Sequence, residues 1–240
     1  MISFYPTQAK ALVTLVRERP LFVLTMKNGE NRFNTNFINA LFSALDDIER
    51  IREEEDGEPA ALVTMGEGKF FSNGLDLEHA LSTPGFFDEY YLKLLTRMLT
   101  FPIPTVAALN GHAFAGGCMF ALAHDYRVMR SDRGYICMNE VDLPSPLHPG
   151  MAAIVRIKML PKTYRDCVLQ GHRFNAQEAL DQQLVDEIVE GEKEVLVKAK
   201  ELGLKWSGKA KAGAIYGMLK REMYAEGIRY LDVKGWQAKL

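Results

Sequence analysis

Two stretches of this chain join glycine to small polar residues where an extended run gives way to a helical one. Residues 70–77 read Phe-Phe-Ser-Asn-Gly-Leu-Asp-Leu, and residues 110–117 read Asn-Gly-His-Ala-Phe-Ala-Gly-Gly. The first amides of a helix have no internal acceptor and sit at the positive end of its dipole. Gly74, Gly116 and Gly117 let a ligand come close to such amides. Two turns of this kind, facing each other, can aim two N–H donors at one oxygen, which is an oxyanion hole. Ordinary strand-to-helix turns account for the same glycines, so a second signal is needed to separate the two readings.

Other chemistries fit less well. Ser72 is not in a G-x-S-x-G elbow. Gly66-Glu67-Gly68-Lys69 lacks the spacing of a phosphate loop, and no G-x-G-x-x-G turn occurs. His112 and His124 suit structural roles beside glycine turns, and Asp76 and Asp125 suit capping or turn-fixing. The cysteines, Cys118, Cys137 and Cys167, are odd in number and far apart, without C-x-x-C or zinc-type spacing. They read as buried free thiols, and no metal site is expected.

The elements that must position these turns follow from periodicity. Leu12–Val16 and Leu21–Met26 form a hairpin signal around Arg17–Pro20. Asn34 or Thr35 can cap a helix carrying Phe37, Ile38, Leu41, Leu45 and Ile48 on one face. Buried strands are expected at Ala60–Met65 and Thr105–Leu109, each running into one of the glycine turns. A helix is expected over 86–99, and strands at Tyr126–Met129 and Tyr135–Met138. Beyond Pro149 the pattern turns helical. The chain therefore reads as an α/β core over 1–190 and a helical region over 191–240.

With 29 basic and 31 acidic residues among 240, the chain is no basic nucleic-acid binder. No apolar run is long enough for a membrane span. The ending Ala238-Lys239-Leu240 has the small-basic-leucine form of a peroxisomal address, and a solvated helix end reads the same way.

The two glycine turns, in this order and separation, resemble the signatures of the crotonase (enoyl-CoA hydratase/isomerase) family. One is small residues before G-x-D-Leu/Ile. The other is N-G-x-A-x-G-G-G followed by a helix and an aspartate. The resemblance spans nearly the whole chain and implies the crotonase fold, repeated ββα units with a C-terminal helical region. It places the oxyanion donors at the amides of Leu75 and Gly116, with Ala115 standing where the family carries a glycine. Around the turns it implies substrate contacts at Ser72, Asn73, Asp76, Leu77 and Ala115. Arg32 and Phe33 lie where the family meets the nucleotide end of coenzyme A.

Family hydratases carry two glutamates. The first position falls on Met119, which cannot activate water. The second falls on Glu140, in Met138-Asn139-Glu140-Val141-Asp142-Leu143-Pro144, where Asn139 replaces a proline. Met119, Asn139 and Leu143 join the implied substrate contacts. One carboxylate suffices to take a proton from C2 and return it at C4, and this stretch is similar to the plant-type peroxisomal Δ3,Δ2-enoyl-CoA isomerases. The expected activity is therefore a shift of the 3-enoyl-CoA double bond to 2-trans-enoyl-CoA in fatty-acid β-oxidation. It needs no cofactor beyond the coenzyme A of the substrate.

Asp142 is the rival base, ranked second because an extended segment would point it away from Glu140's side. Lys211, Lys220 and Arg221 are further cations for the coenzyme A phosphates, or plain solvated charges. Phe86, Phe87, Tyr90 and Tyr91 line an acyl tunnel or belong to the core. A hydratase, another acyl-CoA enzyme of this fold, or a catalytically silent acyl-CoA-binding subunit remain as alternatives. The resemblance also implies a homo-oligomer, trimer or hexamer, and a peroxisomal import receptor engaging Ala238-Lys239-Leu240.

Overall fold

The computed structural model describes residues 2–143 and 146–235. Its strands, in chain order, are β1 (Ile2–Tyr5), β2 (Val13–Glu18), β3 (Leu21–Met26), β4 (Ala61–Gly66) and β5 (Phe70–Ser72). They continue with β6 (Thr105–Leu109), β7 (His112–Phe114), β8 (Tyr126–Arg130), β9 (Ile136–Cys137) and β10 (Glu187–Val189). Among the described residues they form two sheets. The larger runs β1-β2-β3-β4-β6-β8-β10, and the smaller runs β5-β7-β9. The pairs β1–β2 and β2–β3 are antiparallel, and from β3 onward the large sheet is parallel.

The topology has a simple period. Each of β4, β6 and β8 is followed within a few residues by a short strand of the small sheet. Three chain segments thus leave the large sheet, cross the small one, and end side by side. These are the repeated β–β units that the motifs implied. Parallel strands covered on both faces need continuous apolar runs, and Val106-Ala107-Ala108-Leu109 is fully buried.

Helix α1 (Thr35–Glu54) begins as its sequence predicts, with the Asn34 side chain accepting from the Phe37 amide. It buries Phe37, Ile38, Leu41, Leu45 and Ile48. A short α2 (Leu77–Ser82) is capped by Asp76. The helix expected over 86–99 divides into a π turn, Phe87–Tyr91, and α3 (Leu92–Leu99). Next, α4 (Gly116–Leu122) is wholly buried. Then come α5 (Pro149–Lys158), α6 (Pro161–Gln170) and α7 (Ala176–Asp181).

Helix α8 (Glu192–Ser207) lies on the large sheet, packing Val195, Ala199 and Leu202 against Val63, Val106, Ala108 and Val128. The other face of the sheet looks into the main core with α1 and α4. Finally come α9 (Ala214–Met223) and α10 (Ala225–Leu231).

Candidate active site

The first turn is built at the end of β5. Gly74 has φ +79°, a left-handed conformation. The Phe33 amide donates to Gly74 O at 2.8 Å and the Asp76 amide to Phe33 O at 3.0 Å. This pairing passes over the amide of Leu75, which has no protein acceptor among the described residues. Asn31 anchors the turn from beneath. Fully buried at φ +53°, it donates from Nδ2 to Phe70 O (3.2 Å) and Phe71 O (3.1 Å), and its carbonyl accepts from Ser72 Oγ at 2.7 Å.

The second turn leaves β7 through Ala115, whose φ of 49° and ψ of −118° lie where an alanine is strained. Two bonds hold it there. Its amide donates to Cys137 O at 2.9 Å, and its carbonyl accepts from the Met119 amide at 3.1 Å. Gly116 follows as the first residue of α4, so its amide has no acceptor within the helix.

The two turns abut. A Cβ on Gly74 would stand 3.2 Å from Gly116 N, and one on Gly117 would stand 2.3 Å from Ser72 O. The Leu75 side chain reaches within 3.3 Å of the corresponding point on Gly116. Backbone meets backbone here, which brings the Leu75 and Gly116 amides to one small space.

The third arm ends at the carboxylate. After β9 come buried Met138, then Asn139, then Glu140 opening one 3-10 turn over Glu140–Asp142. Glu140 Oε2 is shut from solvent and has no hydrogen-bond partner among the described residues, and the same holds for Asn139 Oδ1. Burial pushes the Glu140 carboxyl up to about 7. Its charge reaches the Tyr91 phenol, which burial first and Glu140 second hold well above the usual tyrosine range. Tyr91 in turn donates to Gly116 O at 2.6 Å. Glu140 and Gly116 thus share Tyr91 as a neighbour.

The remaining expected residues divide into three groups. Phe33 and Met119 are buried beside the turns. Phe33 packs on Phe37, Tyr91 and Phe120, and Met119 lies in the body of α4. Ser72 and Asp76 are engaged by the fold. Ser72 Oγ serves Asn31 O and the Gly74 amide, and the Asp76 carboxylate accepts from the His79 amide. Arg32, Asn73, Leu77 and Leu143 lie toward solvent, with Glu30 accepting from Arg32 at 2.8 Å and from Asn73 at 2.9 Å.

Two expectations are corrected. Asp142 does not lie in an extended segment. The 3-10 turn carries it outward, exposed beside Gly171, so its distance from the site has a different cause. Lys220 is no solvated charge or free phosphate ligand, because it is buried and bonded to Asp125 at 2.6 Å and Ile103 O at 3.1 Å. Asp125 also accepts from Thr105 N and Oγ1, the turn-fixing role expected of it. His124 is a core residue held by Phe120 O and Thr64 Oγ1, its ring kept neutral by burial. Of the aromatics, Phe86 and Tyr91 are fully buried.

Asn31 and Tyr91 carry more of this geometry than their sequence context suggests. Asparagine visits the left-handed region more readily than most residues, which was the one available signal for Asn31. For Tyr91 the π turn hides the register. The cysteines are all buried and free, and a cavity of about 500 Å³ lined by Lys93, Arg97, Met218 and Arg221 contains none of the site residues.

The chain is 34% identical over 237 residues to the peroxisomal enoyl-CoA delta isomerase 2 of Arabidopsis thaliana, covering 93% of this chain and 97% of that one. An enoyl-CoA isomerase structure from Mycobacterium tuberculosis superposes with a TM-score of 0.81 at 26% identity, over 92% of this chain and 96% of that one. Human mitochondrial Δ3,Δ2-enoyl-CoA isomerase shares the fold, with a TM-score of 0.78 at 21% identity over 92% and 88% of the two chains. Residues 17–232 match the enoyl-CoA hydratase/isomerase family, and the chain belongs to that family.

Proposed function

We propose that this chain is a Δ3,Δ2-enoyl-CoA isomerase in which Glu140 moves one proton from C2 to C4. The observation that carries the reading is the pairing of Glu140 with Met119. One carboxylate with a solvent-shut, unpartnered oxygen is present, and the position of a second is filled by a thioether that neither holds nor activates water.

Ionised Glu140 takes a proton from C2 of the 3-enoyl thioester. The C–H electron pair becomes the C1–C2 double bond, and the carbonyl pair moves onto oxygen, giving a dienolate. The Leu75 and Gly116 amides donate to that oxygen, and the surrounding protein strengthens the interaction by excluding water. In the return step the carbonyl re-forms, the C1–C2 pair shifts to C2–C3, and the old C3–C4 pair takes the proton from Glu140 at C4. No electrons leave the substrate, so coenzyme A is needed only as its handle.

Turnover of 3-hexenoyl-CoA tests the assignment. Glu140→Gln is expected to lose at least about a hundredfold in kcat, on the scale of strong general acid–base effects, while still binding the thioester. Full activity in that variant would remove Glu140 from the mechanism. Hydration of 2-enoyl-CoA at a comparable rate would favour the hydratase, and binding without turnover in the wild type a silent subunit.

The substrate's phosphates meet Arg32, whose half-exposed guanidinium can exchange its Glu30 partner for a stronger anion. The oligomer is a trimer or hexamer of this chain. Ala238-Lys239-Leu240 lies outside the described residues, and its reading as an address rests on its residue types and on the peroxisomal relatives. A fluorescent fusion lacking those three residues should fail to enter peroxisomes, and unchanged import would refute the address.

A further inference from the structure

Tyr91 poses a physical question that the proton shuttle leaves unanswered. Its ring is fully buried and 5.5 Å from Phe33, where a phenylalanine would fill nearly the same space. The hydroxyl must therefore justify its desolvation, which is costly for an unpaired polar group. Its partner is the carbonyl of Gly116, at 2.6 Å. That carbonyl belongs to the first turn of α4 and already serves the helix ladder, so backbone satisfaction does not require the bond.

The approach is also unusually close. A Cβ on Gly116 would stand 2.8 Å from the Tyr91 hydroxyl, so the phenol rests directly on the residue that supplies an oxyanion amide. Tyr91 reaches this point at the end of the π turn Phe87–Tyr91, whose extra residue per turn reorients the side chains that follow. On the other side of Gly116, Ala115 is held at φ 49° by bonds to Cys137 O and from the Met119 amide. A strained residue relaxes when its surroundings loosen. Ala115 is pinned from one side, and Tyr91 supplies the opposing hold. Burial and the nearby Glu140 charge keep the phenol protonated, so it remains a donor.

We propose that Tyr91 is a positioning residue for the oxyanion hole, its hydroxyl clamping the first turn of α4 so that the Gly116 amide keeps its aim as charge gathers on the thioester oxygen. The proposal deepens the isomerase reading and rests on it for its kinetic test alone.

The test compares the wild type with Tyr91→Phe, with melting curves verifying that both are folded. On 3-hexenoyl-CoA, kcat should fall about tenfold or more while KM changes less than about twofold, because the donor matters most when the oxygen is charged. The second readout is independent of turnover. The absorption band of bound 2,4-hexadienoyl-CoA moves to longer wavelength as its carbonyl is polarised. The wild type should show a clear shift, and Tyr91→Phe a smaller one at saturation.

An unchanged band shift in Tyr91→Phe overturns the clamp, as does an unchanged kcat per folded molecule. A fall in kcat matched by an equal rise in KM also overturns it, since that marks general loosening. If the wild type polarises the dienoyl thioester yet does not turn over 3-hexenoyl-CoA, the isomerase reading fails and the band shift still decides the clamp. No shift in the wild type overturns both.

Discussion

Glu140 sets activity against stability within one residue. Its carboxyl ionises near 7 because burial disfavours the charge, and that same desolvation makes the ionised form a stronger base. As the proposed base must be ionised, kcat/KM should rise about tenfold per pH unit below 7 and level off above it. A pH–rate profile flat from 5 to 8 would contradict this. The stability consequence has the opposite sign. Below pH 4.5 the group is protonated in both folded and unfolded chains, and nothing is lost. Between 4.5 and about 7 the unfolded chain releases a proton that the folded chain keeps, so stability falls as pH rises. Above 7 the full penalty applies, up to about 3 kcal/mol. Glu140→Gln should therefore be more stable than the wild type at pH 8 and no more stable at pH 4.5, as read by urea unfolding at each pH.

At the scale of elements, the site depends on how closely β5 and α4 approach. The contact is made by Gly117, because any Cβ there would stand 2.3 Å from Ser72 O, and the obstacle is backbone rather than a movable side chain. Gly117→Ala must push the two turns apart. It should lower kcat at least about a hundredfold, the scale seen when reacting groups are displaced by an ångström, and destabilise the fold by about 1–3 kcal/mol, as overpacking does. Thermal melting and the isomerase assay on the same preparation check both. Most of this layer was legible in advance. The hairpin, the Asn34 cap and the strands before each turn follow from period and capping chemistry, which act over a few residues. The π turn at Phe87–Tyr91 was not, because its spacing is indistinguishable in sequence from a continuous helix. Nor was the single 3-10 turn at Glu140–Asp142, which local propensity does not separate from an extended stretch.

At the scale of the molecule, α9 is the element whose surface is least explained by one chain. Ile215, Met218, Leu219 and Met223 are 59–75% exposed and fall at helical spacing. An apolar stripe of this extent marks a contact surface, consistent with the proposed homo-oligomer. Light scattering should give a mass of three or six chains for the wild type. Met218→Asp combined with Met223→Asp should shift it toward the monomer, and an unchanged mass in that variant would exclude this face. Helix α8 is different. Although it opens the helical region assigned to 191–240, its apolar face packs on the large sheet.

The residue types, read with the family resemblance, pointed to an oxyanion hole and one carboxylate, the parts the proposed chemistry uses. Glycine is required wherever backbone must approach backbone, and a methionine at position 119 removes a base whatever surrounds it. Only the tertiary structure decided how the parts meet. Three short strands from distant segments lay Leu75, Gly116 and Glu140 in one place, because the small sheet pairs β5 with β7 and β7 with β9. The same packing made Lys220 a buried partner of Asp125, turned Asp142 outward, and set the Tyr91 hydroxyl on Gly116. Burial and long-range contact are properties of the assembled chain, and no window of sequence contains them.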